Sequence, residues 1–379
     1  MDNLLSEKEL MFKRQMRDFV TKEIAPSAAE WDHKDEFAMD AFHKLADMGL
    51  TGLTIPEQYG GQGGSMVDAL IASIELARAS VSVASIIGTH LGLALDGIYR
   101  FGNEDQRQRF VVPAAKGEKL CAYALTEREA SSDISGMSTT AKKEGDEWVI
   151  NGAKCFISGG NVADIILLFA TINKELKGRG ITAFVVEKGT PGFSIGKIEA
   201  KMGIRGESAA ELMFDNCRIP AANQIGEAGR GMRVALSILD EGRLDVAGQG
   251  IGVAEGALDA AIAYSKQRRQ FGQFISEFQG LQWMLVDMAT STDAAKLLAY
   301  RAARLADAGQ RFTKEVAQAK LFATATAVEV TRKAIQIHGG YGYMRDLPLE
   351  RFYRDAKILE IYEGTNEIQR LVIARSLLA

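Results

Sequence analysis

Hydrophobic spacing changes twice along this chain, and the double change restricts its fold more than any single motif. From about residue 6 to 119 apolar residues recur every three or four positions, as in Leu10, Phe12, Met16, Phe19 and Val20, again over 40–48 and 67–78. A Gly-rich loop carrying a Pro, 54–64, interrupts them. Between about 120 and 220 the period becomes two. Strands are expected at 139–143, 147–151, 165–171, 181–187, 193–198 and 211–214, several separated by Gly-containing turns. From about 229 the helical period returns, over 230–239, 244–267, 278–308 and 314–337. The order predicts an α+β protein with an N-terminal helical domain (1–119), a middle antiparallel β domain, barrel or sandwich (120–228), and a C-terminal four-helix bundle domain (229–379). Strands do not alternate with helices, which disfavours a Rossmann sheet.

Composition narrows the function. Net charge is −4 with both signs mixed throughout, so nucleic acid is not an expected partner. The longest unbroken apolar run, Ile165 to Ala170, is far too short to span a membrane. The first residues lack the features of a signal or transit peptide. Cys121, Cys155 and Cys217 are odd in number and form no CxxC, which suggests free thiols in a reducing compartment. A cytoplasmic protein is expected, or a mitochondrial-matrix one for a mature eukaryotic chain.

Familiar chemistries lack their residues. Four His, no HExxH and one Glu-x-x-His (Glu30, His33) argue against a metal site. There is no G-x-S-x-G elbow, Walker A loop or dinucleotide fingerprint in a strand–helix setting. Gly248, Gly250 and Gly252 lie within a helix, where close helix packing explains them. The stretch Ile361 to Arg370 is different. It places Glu363 on a non-helical step, before Gly364, with Thr365 as candidate N-cap of a terminal helix. A carboxylate there would sit beside the positive end of a helix dipole. Elsewhere, Tyr123 to Glu127 and Ala130 to Asp133 could offer backbone N–H groups and hydroxyls to a ring or phosphate. Phe156 and Ser158 place an aromatic face and a hydroxyl at a strand end. Arg268 and Arg269 suit a pyrophosphate, and Gly339 and Gly340 allow close backbone approach.

In this order and at these spacings, the motifs resemble the acyl-CoA dehydrogenase family over essentially the whole chain. They comprise Leu125-Thr126-Glu127 with Ser132-Asp133, Asn151-Gly152-x-Lys154-x-Phe156-Ile157, and Lys201-Met202-Gly203-Ile204-Arg205-Gly206. Further on come Leu239-Asp240-x-Gly242-Arg243, Arg268-x-Gln270-Phe271-Gly272, Gln336-x-His338-Gly339-Gly340-Tyr341-Gly342 and Ile361-Tyr362-Glu363-Gly364-Thr365. The resemblance implies an FAD enzyme that oxidises a short- or branched-chain acyl-CoA to the trans-2-enoyl-CoA. Glu363 would be the base for the α-proton, and hydride would pass to flavin N5. Tyr123, Leu125, Thr126, Ser132, Phe156, Ile157 and Ser158 would line the flavin. Arg268, Phe271, Gln279, Gln336, Gly339 and Gly340 resemble residues that a neighbouring subunit offers to FAD, with Thr365 and Glu367 completing the site. Ser132, Asp240, Arg243 and Gly364 would meet substrate. Electron-transfer flavoprotein would accept the electrons, and a homotetramer, a dimer of dimers, is the implied assembly.

Some branches of the family carry the base immediately before the Arg matched by Arg243. Here that position is Gly242, and Glu241 lies about 100° further round the helix. Glu363 is therefore the expected base. Arg128, Glu129 and Ser131 depart from the family's usual residues, as does Ser158-Gly159 beside the flavin. Same-fold alternatives are an enoyl-CoA reductase, an acyl-CoA oxidase or a non-catalytic acyl-CoA- or flavin-binding relative.

Overall fold

A computed structural model describes residues 4–378. Helices fill the chain up to residue 115, strands occupy 121–225, and helices resume at 231. The first part contains α1 (Glu7–Phe19), α2 (Ala28–Lys34), α3 (Met39–Asp47) and α4 (Met66–Ala79). Ser6 caps α1 by a reciprocal box with Glu9, and Ser65 caps α4 likewise with Asp68. A further helical run, α5, spans Val81–Phe101. It is long and apolar enough to cross a membrane, yet 89% of its apolar window is buried inside the fold. Ser82, Ser85, Thr89 and His90 interrupt its apolar residues, so no unbroken apolar run marks it in the sequence. Its central part, Gly88–Leu95, is π-helical, a local widening often found beside functional sites.

The strands are β1 (Cys121–Ala124), β2 (Thr140–Glu144), β3 (Glu147–Ser158), β4 (Ile165–Thr171), β5 (Ile181–Glu187), β6 (Phe193–Ile198), β7 (Ala209–Pro220) and β8 (Gln224–Ile225). They pair in the order β6-β7-β3-β2-β4-β5-β8, with β1 added against β4. Most pairings are antiparallel as expected. Two involving β4 are parallel: β1 runs alongside it, and β2 meets it only at Thr140 and Thr171. Strands β3 and β7 reach twelve residues each, longer than their alternation suggested, because bulges break their register. Fully buried β4 has no alternation to read, only a continuous apolar run.

The last part holds α6 (Gly231–Ser265), α7 (Gln279–Asp307), α8 (Thr313–His338), α9 (Leu349–Leu359) and α10 (Asn366–Leu378). The expected helices at 230–239 and 244–267 are one continuous helix, α6. Its glycines let neighbours approach closely. A Cβ at Gly252 would stand 2.2 Å from the Ile74 carbonyl of α4, and one at Gly250 would stand 3.0 Å from the Ala323 carbonyl of α8. Helix α6 is thereby clamped between the N-terminal helices and α8, with buried apolar residues on both sides. This centres its middle, residues 240–249, in the molecule.

Candidate functional site

The turn between α9 and α10 carries Glu363. Its φ of 53° is left-handed, a conformation costing a non-glycine residue on the order of 1–3 kcal/mol, and Gly364 follows at φ 87°. Neighbours hold the turn in place. Lys320 Nζ on α8 donates to the Gly364 carbonyl (2.9 Å) and to Asn366 Oδ1 (3.2 Å). Gln369 Nε2 donates to the Gly364 carbonyl at 2.7 Å. Thr365 does cap α10, accepting from Ile368 N at 3.3 Å.

These contacts point the Glu363 carboxyl at α6. A Cβ at Gly242 would lie 3.0 Å from Glu363 Oε2 and 2.8 Å from Leu93 Cδ2. The residue as a whole is half-buried, but Oε2 itself is buried with no hydrogen-bond partner. Burial is the main cause that raises this carboxyl to about 7; Arg243 and Lys320 oppose the rise and Asp245 adds to it. Glu241 points elsewhere, pairing with Arg100 at 2.7 Å.

Among the described residues, five buried side-chain polar atoms lack a partner, and four of them belong to this region: Tyr123 Oη, Arg243 Nε, Glu363 Oε2 and Gln369 Oε1. An orphan of this kind costs about 1–3 kcal/mol, so their convergence marks a site built for a ligand rather than for stability. Tyr123 reports on the same charge: burial and the Glu363 carboxylate both push its hydroxyl well above the usual tyrosine range. His90 positions this wall. Its Nδ1 accepts from Cys121 N (3.0 Å) and its Nε2 lies 3.2 Å from the Ala114 carbonyl, tying the π-helical stretch to β1; burial holds it down at about 4 and therefore neutral.

The expected flavin-facing residues also come together. Cys155 N donates to the Thr126 carbonyl at 3.0 Å, laying Tyr123, Leu125 and Thr126 beside Phe156, Ile157 and Ser158. Behind them Lys154 Nζ, wholly buried, donates to Glu127 Oε1 (2.7 Å) and to the Leu125 carbonyl (3.0 Å). Ser138 and Thr139 complete the Glu127 carboxylate, which ends at about 2, its lysine and hydrogen bonds outweighing burial. Phe156 is left 65% exposed at φ 58°, an aromatic face on strained backbone. Ser132 lies in the exposed loop beyond.

Two clefts are lined by other expected site residues. One, of about 1490 Å³, runs from Asp240 and Arg243 outward along α6. Eight cationic side chains line it, among them Arg230, Arg233, Arg311, Lys314 and Arg375, against three carboxylates, so it favours a polyanion. Motif reading missed these cations because they are scattered over four segments. The other, of about 560 Å³, gathers Arg268, Gln336, Gly339 and Gly340 with Tyr341. A Cβ at Gly339 or Gly340 would meet nothing, leaving bare backbone for an approaching phosphate. No cleft among those described joins this group to Glu363 within one chain. Phe271 is 93% exposed nearby, Gln279 opens α7, and Glu367 faces solvent. An exposed aromatic face, a buried cation–carboxylate support and a separate Arg–Gly cleft with open backbone are of the chemical kind that FAD needs. Three or more His, Cys, Asp or Glu able to hold a metal do not occur together among the described residues.

The profile of the acyl-CoA dehydrogenase N-terminal domain matches residues 6–118, that of the middle domain 122–217, and that of the C-terminal domain 229–378. The chain is 48% identical to an acryloyl-CoA reductase (NADH) of Anaerotignum propionicum, over 100% of this chain and 96% of that one. It superposes on butyryl-CoA dehydrogenase of Megasphaera elsdenii with TM-score 0.97 and 42% identity, covering 99% of each chain. It superposes equally well, TM-score 0.98, 43% identity and 100% of each chain, on a chain from structural work on the electron-transferring flavoprotein of Acidaminococcus fermentans and flavin-based electron bifurcation.

Proposed function

The chain belongs to the acyl-CoA dehydrogenase family, an enzyme family that uses FAD, and from this we infer that Glu363 is the base in α,β-dehydrogenation of a short-chain acyl-CoA. One observation carries the reading most: Glu363 Oε2 is buried, unpartnered and aimed at bare backbone of α6.

FAD, when bound, supplies the two-electron chemistry by taking the β-hydrogen as hydride. The protein's part is proton removal and placement. An α-C–H beside a thioester is too weak an acid for a solvated carboxylate, so the base must be made stronger by desolvation. Burial does this for Glu363, and the Lys320–Gly364 hydrogen bond fixes where it points. Developing negative charge on the thioester oxygen calls for hydrogen-bond donors, and the Glu363 backbone N–H, on the same turn, is suited to that role. Asp240 and Arg243 line the cationic cleft, and Arg243 also acts on the Glu363 charge, a place suited to the CoA arm; Ser132 lies in the loop beyond Thr126. The roles of Tyr123, Leu125, Thr126, Phe156, Ile157 and Ser158 toward the flavin, and of Arg268, Phe271, Gln279, Gln336, Gly339 and Gly340 from a partner chain, follow the same reading. So does a homotetramer, supported by the separation of the two clefts and by the exposure of Phe271, Trp283 and Val286. We divide the chain at 119/120 and 228/229. All three cysteines are free and buried, which supports a reducing compartment.

An electron-transferring flavoprotein is the partner, in keeping with the structural relative studied with one. The similarity to an acryloyl-CoA reductase favours a second reading, in which the same residues run the reaction as reduction of a short enoyl-CoA. Anaerobic titration with a panel of acyl-CoAs, following loss of visible flavin absorbance, tests the first. Reoxidation of reduced enzyme by short enoyl-CoAs, with electrons supplied through an electron-transferring flavoprotein, tests the second. Peroxide formed in air would indicate an oxidase instead.

A further inference from the structure

Glu363 faces a stripe of α6 made by Gly242, Asp245 and Gln249, residues three and four apart and hence on one side of the helix. Gly242 gives the carboxyl bare backbone to approach. Gln249 accepts a hydrogen bond from Tyr362 Oη, next to Glu363 in sequence, and donates from Nε2 to Asp245 Oδ2 at 2.6 Å. The Asp245 carboxyl lies over Gly88 in the π-helical part of α5. A Cβ there would be 2.0 Å from Oδ2, so only glycine leaves room for it. Its hydrogen-bond partners, Gln249 and Ser73, are neutral. A second, half-buried carboxyl is thus held on the helix face that Glu363 meets, and no cation pairs with it.

Resting on the reading of Glu363 as base, the geometry points to Asp245 as a positioning residue whose fixed charge makes Glu363 a stronger base. Like charges on one buried face disfavour each other's ionised form. Arg243 on α6 and Lys320 on α8 favour the ionisation of Glu363, while Asp245 opposes it, and the Tyr123 and Tyr362 hydroxyls are neutral. Both cations are already engaged, Arg243 by Asp240 (2.6 Å) and Lys320 by Gly364 and Asn366. Facing Asp245 are Glu363, Glu207, Tyr362, Gln249 and Ser73, none of them cationic. Burial raises Asp245 itself to about 6, so the two carboxyls titrate in one region.

The test uses the flavin-loaded enzyme carrying Asp245→Asn, which keeps the size and the acceptor for Gln249 but removes the charge. Two quantities are followed against pH: the rate of anaerobic flavin bleaching by butyryl-CoA, and the carboxyl infrared band that disappears in Glu363→Gln. The infrared titration of Glu363 is expected to move down by roughly one unit, the acid limb of the rate following as a single-proton step. An unchanged or raised midpoint overturns the proposal. Asp245→Ser, predicted to shift the same way, serves if the first variant folds poorly. If Glu363→Gln still bleaches normally, the base assignment itself falls, whatever happens at Asp245.

Discussion

Gly242 and Glu363 meet across the site: a Cβ on the first would lie 3.0 Å from Oε2 of the second. The same Cβ would stand 2.8 Å from Leu93 Cδ2, so Gly242→Ala must push either the carboxyl or Leu93. We expect flavin content to be kept and the bleaching rate to fall roughly tenfold, since small misplacements of a base are costly. Rapid-reaction measurements on both proteins check this.

Lys320 joins α8 to the turn that carries Glu363. Lys320→Met removes the charged donor shared by the Gly364 carbonyl and Asn366 Oδ1, leaving only Gln369 Nε2 on the first and Thr324 Oγ1 on the second. A loss of about 2–4 kcal/mol in stability is expected, together with a lower bleaching rate. Denaturant melts of the variant measure the first and stopped-flow absorbance the second.

Stability should fall as pH rises from about 5 to 8. Burial raises Glu207 and Glu363 to about 7 and Asp245 and Asp355 to about 6. Each binds its proton more tightly folded than unfolded, so the stability it contributes is present at low pH and lost as pH climbs through the folded value. Glu9 and Glu127, held near 2, lose theirs only at lower pH, below the ordinary glutamate value. Thermal melts across this window should show the decline, and Glu363→Gln should flatten part of it.

The cation-lined cleft predicts salt-sensitive substrate binding. Arg311→Ala or Arg375→Ala should raise KM for an acyl-CoA several-fold with kcat little changed, and the difference from wild type should shrink in high salt. Steady-state kinetics at two ionic strengths will show it.

The three-part order and most elements were readable because their spacing is regular: β4, β5 and β6 start and stop at the expected residues. What escaped was set by tertiary context. Strand β1 is four residues long and wholly buried, and gains its place by pairing with β4 and by the His90 hydrogen bond. Helix α6 runs through Asp240 and Gly242 because α4 and α8 clamp it, although its local pattern falters there. At the site, Glu363 and its glycine were legible as a motif. Lys320, Gln369 and Asp245 were not, since each acts from a helix whose own periodicity accounts for it fully. The left-handed backbone at Glu363 and Phe156 is invisible to patterns of residue type.

The role proposed for the Glu363 carboxylate is removal of the substrate's α-proton. Anaerobic titration of Glu363→Gln with butyryl-CoA tests it most directly. The expected result is a yellow protein that still binds the thioester but whose flavin absorbance does not bleach. Bleaching at the wild-type rate would contradict it.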